Sequence, residues 1–152
     1  MRLSVLFLIL LATAGCSSWA PEPEDISAVP AERLLAYQQA QEGAGEIVVT
    51  RDFGLRGGGC YIAVLIDREL AARIHVGERA RFQVPAGRHV VGIGTDSLDD
   101  TLCSKGRLRR EVLAEVVAGQ VLDYRITSEN DIGFDIRPLA LSAATGLEAL
   151  SE

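Results

Sequence analysis

The chain is short of the side chains on which most enzymatic and nucleic-acid chemistry depends. Its 152 residues include only two histidines, one tryptophan and three cysteines, and aromatic residues make up 5%. The formal net charge of -6 argues against a general nucleic-acid binder, because affinity for phosphates rests on a basic surface. The mostly apolar run from Leu3 to Ala12 is shorter than the roughly 20 residues of a permanent transmembrane helix.

Catalytic signatures are also missing. The sequence has no Gly-x-Ser-x-Gly nucleophile elbow, and a zinc site needs a third ligand beyond the two histidines, His75 and His89. We therefore expect no catalytic, cofactor-binding or metal-binding residue, and no enzyme. Asp67 or Glu78 could pair with a histidine, but nothing in their spacing resembles a metal motif. The alternative is a hydrolase that uses His75 or His89 with a nearby carboxylate, which requires both groups in one cleft.

Three segments imitate ligand-binding motifs without completing them. "GLRGGGC" (54–60) has the glycines of a phosphate loop, but it lacks lysine and precedes a predicted strand rather than a helix. "DSLDD" (96–100) groups three carboxylates but lacks the glycine and final glutamate of a calcium loop. In "RLRR" (107–110), strand alternation sends the arginines to opposite faces. We expect a connector, a solvated loop and ordinary strand positions.

The N-terminus has the features of a secretory leader. Met1 and Arg2 precede the apolar run, and "TAGC" then places Cys16 after two small residues. This order resembles the bacterial lipobox, although Thr13 stands where that motif most often has leucine. The resemblance implies a signal peptide at 1–15 and lipidation of Cys16. A plain signal peptide with an incidental cysteine, or a buried N-terminal strand, is the alternative.

Residues 16–29 are rich in serine, proline and acidic side chains and lack apolar periodicity, which predicts a lipid anchor followed by a flexible tether. The partner implied at this end is a membrane, through the N-terminal lipid. By resemblance to Gram-negative sorting, Ser17 rather than aspartate after the cysteine indicates the outer membrane, with the domain facing the periplasm.

The other two cysteines suit an exported chain. Disulfides persist outside the cytoplasm, and Cys60 and Cys103 are left over once Cys16 carries lipid. We therefore predict a disulfide between them, which would stabilise the fold by up to about 4 kcal/mol in the chain-entropy model.

The pattern over residues 30–140 predicts a mostly β domain. Pro30 to Glu42 has a partial apolar face and predicts one short N-terminal helix, which the glycines before residue 46 end. Period-two alternation then predicts seven or eight strands in a compact antiparallel β-sandwich over 46–140. "RLRREVLAEVV" (107–117) is assigned as a strand despite its helix propensity, because "VLDYRIT" (121–127) needs a hairpin partner. Residues 141–152 form a C-terminal tail, either weakly helical or frayed.

The stretch from Val64 to Ile93 resembles the PEGA-type β-domain and related families of bacterial envelope lipoproteins. The matching positions are Ile66, Asp67, Gly77, Phe82, Val84, Pro85, Gly87, His89 and Val91, with a second echo in "VVAGQVLDYRI" (116–126). The sequence departs at Arg68, where those families usually have glycine. The resemblance implies a small extracytoplasmic β-domain and brings no catalytic residues with it.

Charge is concentrated in the middle of the chain. Residues 51–110 hold eleven basic and seven acidic side chains, whereas the flanks hold four and fourteen. This segment either faces an anionic partner or consists of exposed strand positions that need none. The sequence thus predicts a lipid-anchored binding or structural module of the cell envelope, with an envelope protein or polysaccharide as a possible partner.

Overall fold

A computed structural model describes residues 17–139, which form nine β-strands and three 3₁₀ turns. The strands are β1 (Ser27–Ala28), β2 (Ala44–Arg51), β3 (Ile62–Ile66), β4 (Glu69–Ile74), β5 (Glu78–Pro85), β6 (Gly87–Thr95), β7 (Arg109–Val116), β8 (Val121–Glu129) and β9 (Gly133–Pro138). The turns are Pro23–Asp25, Ala31–Arg33 and Leu102–Lys105. The predicted signal peptide (1–15), the predicted lipidation site Cys16 and the predicted C-terminal tail (141–152) lie outside the described residues.

The strands form two sheets, which confirms the mostly β prediction and corrects the strand count from seven or eight to nine. The first sheet has the order β1-β5-β2-β8-β9 and the second β4-β3-β6-β7. The sheets are not purely antiparallel, because β1 pairs parallel with β5, and β2 with β8. Both parallel pairs join strands that are distant in sequence, so no tight hairpin has to connect them.

One apolar core lies between the sheets. In β5 the predicted alternation is confirmed: Ala80, Phe82 and Val84 are buried in the core, while Arg81 on the other face is exposed. The second sheet contributes a matching row from β3, namely Ile62, Val64 and Ile66. The sheets therefore hold together by the burial of β-branched and aromatic side chains from both inner faces.

The assignment of residues 107–117 as a strand is confirmed, but its stated reason is wrong. β7 pairs with β6, whereas β8 lies in the other sheet between β2 and β9. The turn that follows Val116 carries the chain across to the first sheet, where the Glu46 N–H donates to the Gln120 carbonyl over 2.8 Å. The connection is a crossover between sheets, not a hairpin.

The predicted N-terminal helix is absent from Pro30–Glu42, where the chain makes only the 3₁₀ turn Ala31–Arg33. Beyond it, the Leu35 N–H donates to the Ala71 carbonyl over 2.8 Å and the Gln83 N–H donates to the Tyr37 carbonyl over 2.7 Å. Ala71 in β4 and Gln83 in β5 offer these backbone partners, which a helix could not use because its own backbone groups would be paired internally. Tertiary pairing thus overrides a weak local propensity.

Residues 18–29, expected to be a tether, instead lie along the first sheet. The Ser18 N–H donates to the Ser128 carbonyl over 2.8 Å, and Trp19 forms a β-bridge with Phe53. Farther on, β1 pairs with the start of β5 and Val29 is buried in the core. Backbone pairing outweighs the proline-rich composition here, so the domain begins within two residues of Cys16.

The strand ends define two opposite ends of the molecule. The end at which β2, β6 and β8 finish and β3, β7 and β9 begin carries the loops 52–61, 96–108 and 130–132. We call it the disulfide end, because Cys60 and Cys103 are bonded there with their Cα atoms 5.5 Å apart, as predicted. The opposite end carries the Asp67–Arg68 turn and Leu139.

Candidate functional site

A groove of about 400 Å³ crosses the outer face of the second sheet, away from the core. Its floor is largely aliphatic, from Ala63, Leu65, Leu70, Val90 and Leu108. Leu113, which pairs with Val90 on the neighbouring strand, is 71% exposed. A sheet face of this kind is an apolar surface open to solvent, where water is displaced readily by an apolar partner.

Glycines in β6 deepen the groove. Gly92 and Gly94 lie on the floor, and a Cβ at Gly92 would come within 2.9 Å of the Arg110 carbonyl oxygen. At Gly94, a Cβ would meet the Leu65 side chain at 3.3 Å. The absent side chains leave the sheet backbone accessible along this line.

Charged side chains line one side of the groove. Glu111 lies 2.9 Å from an Arg109 guanidinium nitrogen and 3.5 Å from Arg68 Nε. The hydrogen bond from Arg109 lowers the pKa of Glu111, with the charges of both arginines acting in the same direction. The rim is thus a fixed pattern of opposite charges at neutral pH, which orients a partner more than it adds affinity.

One histidine does lie beside a carboxylate. His89 Nδ1 is 2.7 Å from Asp67 Oδ2, and the other ring nitrogen, Nε2, is 2.8 Å from the Pro85 carbonyl oxygen. Asp67 also accepts the Val90 N–H over 2.9 Å. Burial alone would raise the pKa of Asp67, but the hydrogen bonds from His89 and Val90 outweigh it and hold that pKa below its ordinary value.

This pair fixes a turn rather than leaving a proton acceptor free. One ring nitrogen lies against the Asp67 carboxylate and the other against the Pro85 carbonyl, so protein groups occupy both. Neither nitrogen then remains for a substrate in this arrangement. The pair secures the Asp67–Arg68 turn and the start of β6 against each other.

The second histidine lies at the other end of the molecule. His75 follows β4 at the disulfide end, whereas His89 lies near the start of β6 at the opposite end. The His75 ring packs edge-on against Tyr61, with 5.6 Å between ring centroids. The two histidines therefore share no cleft.

Tyr61 lies within an ion-pair cluster that the sequence does not reveal. Its ring has guanidinium carbons of Arg33 and Arg73 at 4.6 and 5.0 Å from the centroid. Arg33 pairs with Glu78, and Arg73 pairs with Asp96 at 2.6 Å. Each cation is already neutralised, so the cluster links the 3₁₀ turn, β4, β5 and the 96–108 loop around Tyr61 rather than presenting a free anion site.

The acidic loop uses its carboxylates internally. Asp96 is fully buried, accepts from Arg73 and from the Leu98 N–H, and Asp99 accepts from the Thr101 N–H over 2.6 Å. The hydrogen bonds from Thr101 lower the pKa of Asp99. Over residues 17–139, no three His, Cys, Asp or Glu side chains are grouped so as to hold a metal ion.

The most unusual buried group is Arg51, at the end of β2. It is 1% exposed and donates to three backbone carbonyls: Cys60 at 2.7 Å, Ile74 at 3.0 Å and Gly57 at 2.8 Å. Burial lowers the pKa of Arg51 to about 10, against some attraction from Glu78, so the side chain stays charged at neutral pH. Arg51 thereby fastens "GLRGGGC" to the core, which explains that glycine-rich segment as a structural connector.

Comparison with protein-family models, curated proteins and solved structures gives no match. Within residues 17–139, no helix has the length and apolar character needed to cross a bilayer.

Proposed function

We propose that the protein is a lipid-anchored module of the bacterial cell envelope that binds another envelope component and has no catalytic role. The lipid is carried by Cys16, and the domain faces the periplasm from the outer membrane. The sequence feature that supports this localisation is the leader, with its small residues before the cysteine.

The observation that carries the proposal is the way the three cysteines divide. Cys60 and Cys103 are bonded to each other, and a bond of this kind persists in an oxidising compartment. Cys16 is the one cysteine of the sequence outside this bond, and it comes two residues before Ser18, whose backbone joins the first sheet. A thiol in that place is accounted for if the lipidation machinery modifies it.

The groove on the second sheet is the surface best suited to a partner. Its aliphatic floor matches apolar side chains of an extended protein segment, whose backbone a flat sheet face accommodates. A polysaccharide would set its hydroxyl groups against Leu65, Leu70 and Val90, and each group without a hydrogen-bond partner would cost binding free energy. We therefore favour an envelope protein over a polysaccharide.

The hydrolase alternative loses its support. His89 and Asp67 are within hydrogen-bond distance, but both ring nitrogens of His89 are engaged. His75 lies at the other end of the strands and has Tyr61 against its ring.

Metabolic labelling with a palmitate analogue in a Gram-negative host tests the anchor. The wild-type chain should be labelled and should fractionate with membranes, and Cys16→Ala should lose the label. The double variant Cys60→Ala/Cys103→Ala is the matched control and should keep it, because it removes two thiols but not the acceptor. Label that persists in Cys16→Ala contradicts the proposal.

Photo-crosslinking in intact cells tests the groove. A photoreactive residue replacing Leu113, beside the groove, should give a discrete crosslinked product. The same residue replacing Val121, 43% exposed at the start of β8 in the first sheet, should not. Equal products from both positions contradict the assignment of the groove.

A further inference from the structure

The disulfide end exposes leucines at the tips of its loops. Leu55 is 83% exposed, Leu98 60% and Leu102 87%. None of them lines the core, and the disulfide joins the loop that holds Leu55 to the loop that holds the other two. Isolated exposed leucines are ordinary on protein surfaces. Here three of them lie on two disulfide-linked loops at the same end of the molecule, which gives that end an apolar character.

The chain before the domain leaves from this same end. Ser18 donates its N–H to Ser128, accepts the Ser128 N–H through its hydroxyl, and packs beside Gly54, the neighbour of Leu55. Only Ser17 separates it from Cys16. Two residues span at most about 7 Å, so any group attached to Cys16 stays within that distance of Ser18, beside the loop that holds Leu55.

Two apolar features thus converge on one end of the molecule. Trp19 is 57% exposed, and its ring is tilted against Phe53 with 6.2 Å between the ring centroids. It directly follows Ser18 on the chain segment that reaches this end. On the same loops the basic side chains of Arg56, Lys105 and Arg107 are exposed, as is the acidic Asp100. Aromatic and basic residues at the border of an apolar surface are typical of a protein that lies against a bilayer.

We propose that the disulfide end is a membrane-contacting surface, on which Leu55, Leu98 and Leu102 enter the outer part of the bilayer beside the lipid on Cys16. This inference rests on the proposed lipid anchor and adds an orientation to it. The strands stand end-on to the membrane, and the Asp67–Arg68 turn points away from it. The short link at Ser17 leaves the domain little freedom to adopt another orientation.

The rigid loops support this arrangement. Arg51 holds the Cys60 and Gly57 carbonyls, and Arg56 donates to the Asn130 carbonyl over 3.3 Å. The 96–108 loop is fixed by the ion pair of the buried Asp96 with Arg73 and by the disulfide. Contact with a bilayer therefore requires little further ordering of these loops, which lowers the entropic cost of insertion.

Depth-dependent fluorescence quenching tests the orientation. The full lipid-modified protein is reconstituted into vesicles of phosphatidylethanolamine and phosphatidylglycerol, with or without brominated acyl chains. Because Trp19 is the sole tryptophan, each reporter variant combines Trp19→Phe with one further substitution. The reporters are Leu55→Trp and Leu102→Trp at the disulfide end and Val121→Trp at the opposite end.

Emission from the Leu55→Trp and Leu102→Trp reporters should drop in brominated vesicles and shift to shorter wavelength, and the Val121→Trp reporter should do neither. All three positions are exposed, so the substitutions leave the core intact, and near-identical thermal unfolding of the three variants checks this. Flotation of each variant with vesicles, and the mass of its N-terminal peptide, report the anchor separately.

The outcomes separate the two proposals. Variants that float but show no quenching at either leucine position overturn the membrane-contacting surface and leave the anchor standing. Equal quenching at all three positions overturns the end-on orientation. A chain that does not float and has an unmodified Cys16 overturns the anchor, and the orientation with it.

Discussion

Arg33 and Glu78, 45 residues apart in sequence, meet in a two-pronged ion pair with nitrogen–oxygen distances of 2.7 and 2.6 Å. Glu78 Oε2 also accepts the His75 N–H over 2.7 Å, and Arg33 reaches the Arg73 carbonyl at 3.0 Å. This pair fixes the 3₁₀ turn Ala31–Arg33 on the junction between β4 and β5. It holds in place the segment that the sequence predicts to be helical.

The pair makes stability depend on acid. Burial alone would raise the pKa of Glu78, but the hydrogen bonds from Arg33 and His75 and the charge of Arg33 outweigh it and hold that pKa below its ordinary value of 4.5. A carboxylate with a lowered folded-state pKa contributes stability that is complete above the unfolded-state pKa and is lost as the pH falls through the folded-state pKa.

We expect Glu78→Gln to be less stable than the wild type at neutral pH, with the difference shrinking as the pH falls below about 4.5. Urea unfolding followed by circular dichroism, from about pH 3 to about pH 7 so that ordinary carboxyl groups titrate within the range, measures this difference in the free energy of unfolding. Arg33→Met, which removes the other partner, should reduce the same part of the pH dependence. A difference that stays constant with pH contradicts the assignment.

The replacement of Arg51 should cost more stability than that of any arginine on the surface. Arg51→Met leaves the buried Ile74 carbonyl and the partly buried Cys60 and Gly57 carbonyls without their donor, and an unsatisfied buried group costs roughly 1–3 kcal/mol. We expect a loss of about 3 kcal/mol or more in the free energy of unfolding. Arg81→Met is the control, because Arg81 is exposed and pairs with Glu46 at the surface, where such pairs contribute at most about 1 kcal/mol. Similar losses in both variants would show that Arg51 does not fasten the loop.

Gly45 tests how closely the chain packs where it crosses between the sheets. A Cβ at this position would lie 2.6 Å from the Val117 carbonyl oxygen and 2.7 Å from Val116 Cγ1, so Gly45→Ala should destabilise by about 1–3 kcal/mol through overpacking. Gly59→Ala is the matched control, because no atom lies within 4 Å of its Cβ position. Chemical denaturation of both variants measures the difference in stability. Equal denaturation midpoints for Gly45→Ala and Gly59→Ala would contradict the close packing of Gly45 against Val116 and Val117.

The strands could be predicted because their faces differ. Ala80, Phe82 and Val84 alternate with polar side chains, and burial of one face then dictates the strand and its orientation. The same alternation contains the signal for Arg51, which falls on the face of Ile47 and Val49 in β2. Alternation alone does not identify it as buried, because an arginine is ordinarily found at the surface.

What the sequence leaves open is the pairing between distant segments. The 3₁₀ turn in place of a helix depends on Glu78 and on the open edge of β4, neither of which is local. The parallel pairing of β2 with β8 likewise depends on a crossover near Val117 that resembles a hairpin turn in sequence. The sequence contains a local signal for the groove, because Gly92 and Gly94 lie two residues apart and therefore on one face of β6.

The backbone conformation of the Asp67–Arg68 turn lowers the stability of the fold by an amount that can be measured. Both residues have positive φ, 51° and 69°, as a two-residue hairpin turn requires, and a side chain in that conformation costs roughly 1–2 kcal/mol. Arg68 has a 72% exposed side chain and only a 3.5 Å contact with Glu111, which contributes little. Arg68→Gly should therefore raise the free energy of unfolding by about 0.5–1 kcal/mol.

The neighbouring position gives the opposite result for a physical reason. Asp67→Gly relieves the same backbone cost but removes the acceptor for His89 and for the Val90 N–H. We expect it to lower stability, and urea unfolding of the two glycine variants side by side measures the contrast. Destabilisation by Arg68→Gly would mean that its side chain contributes contacts that outweigh the backbone strain, and stabilisation by Asp67→Gly would mean that the histidine pair does not hold the turn.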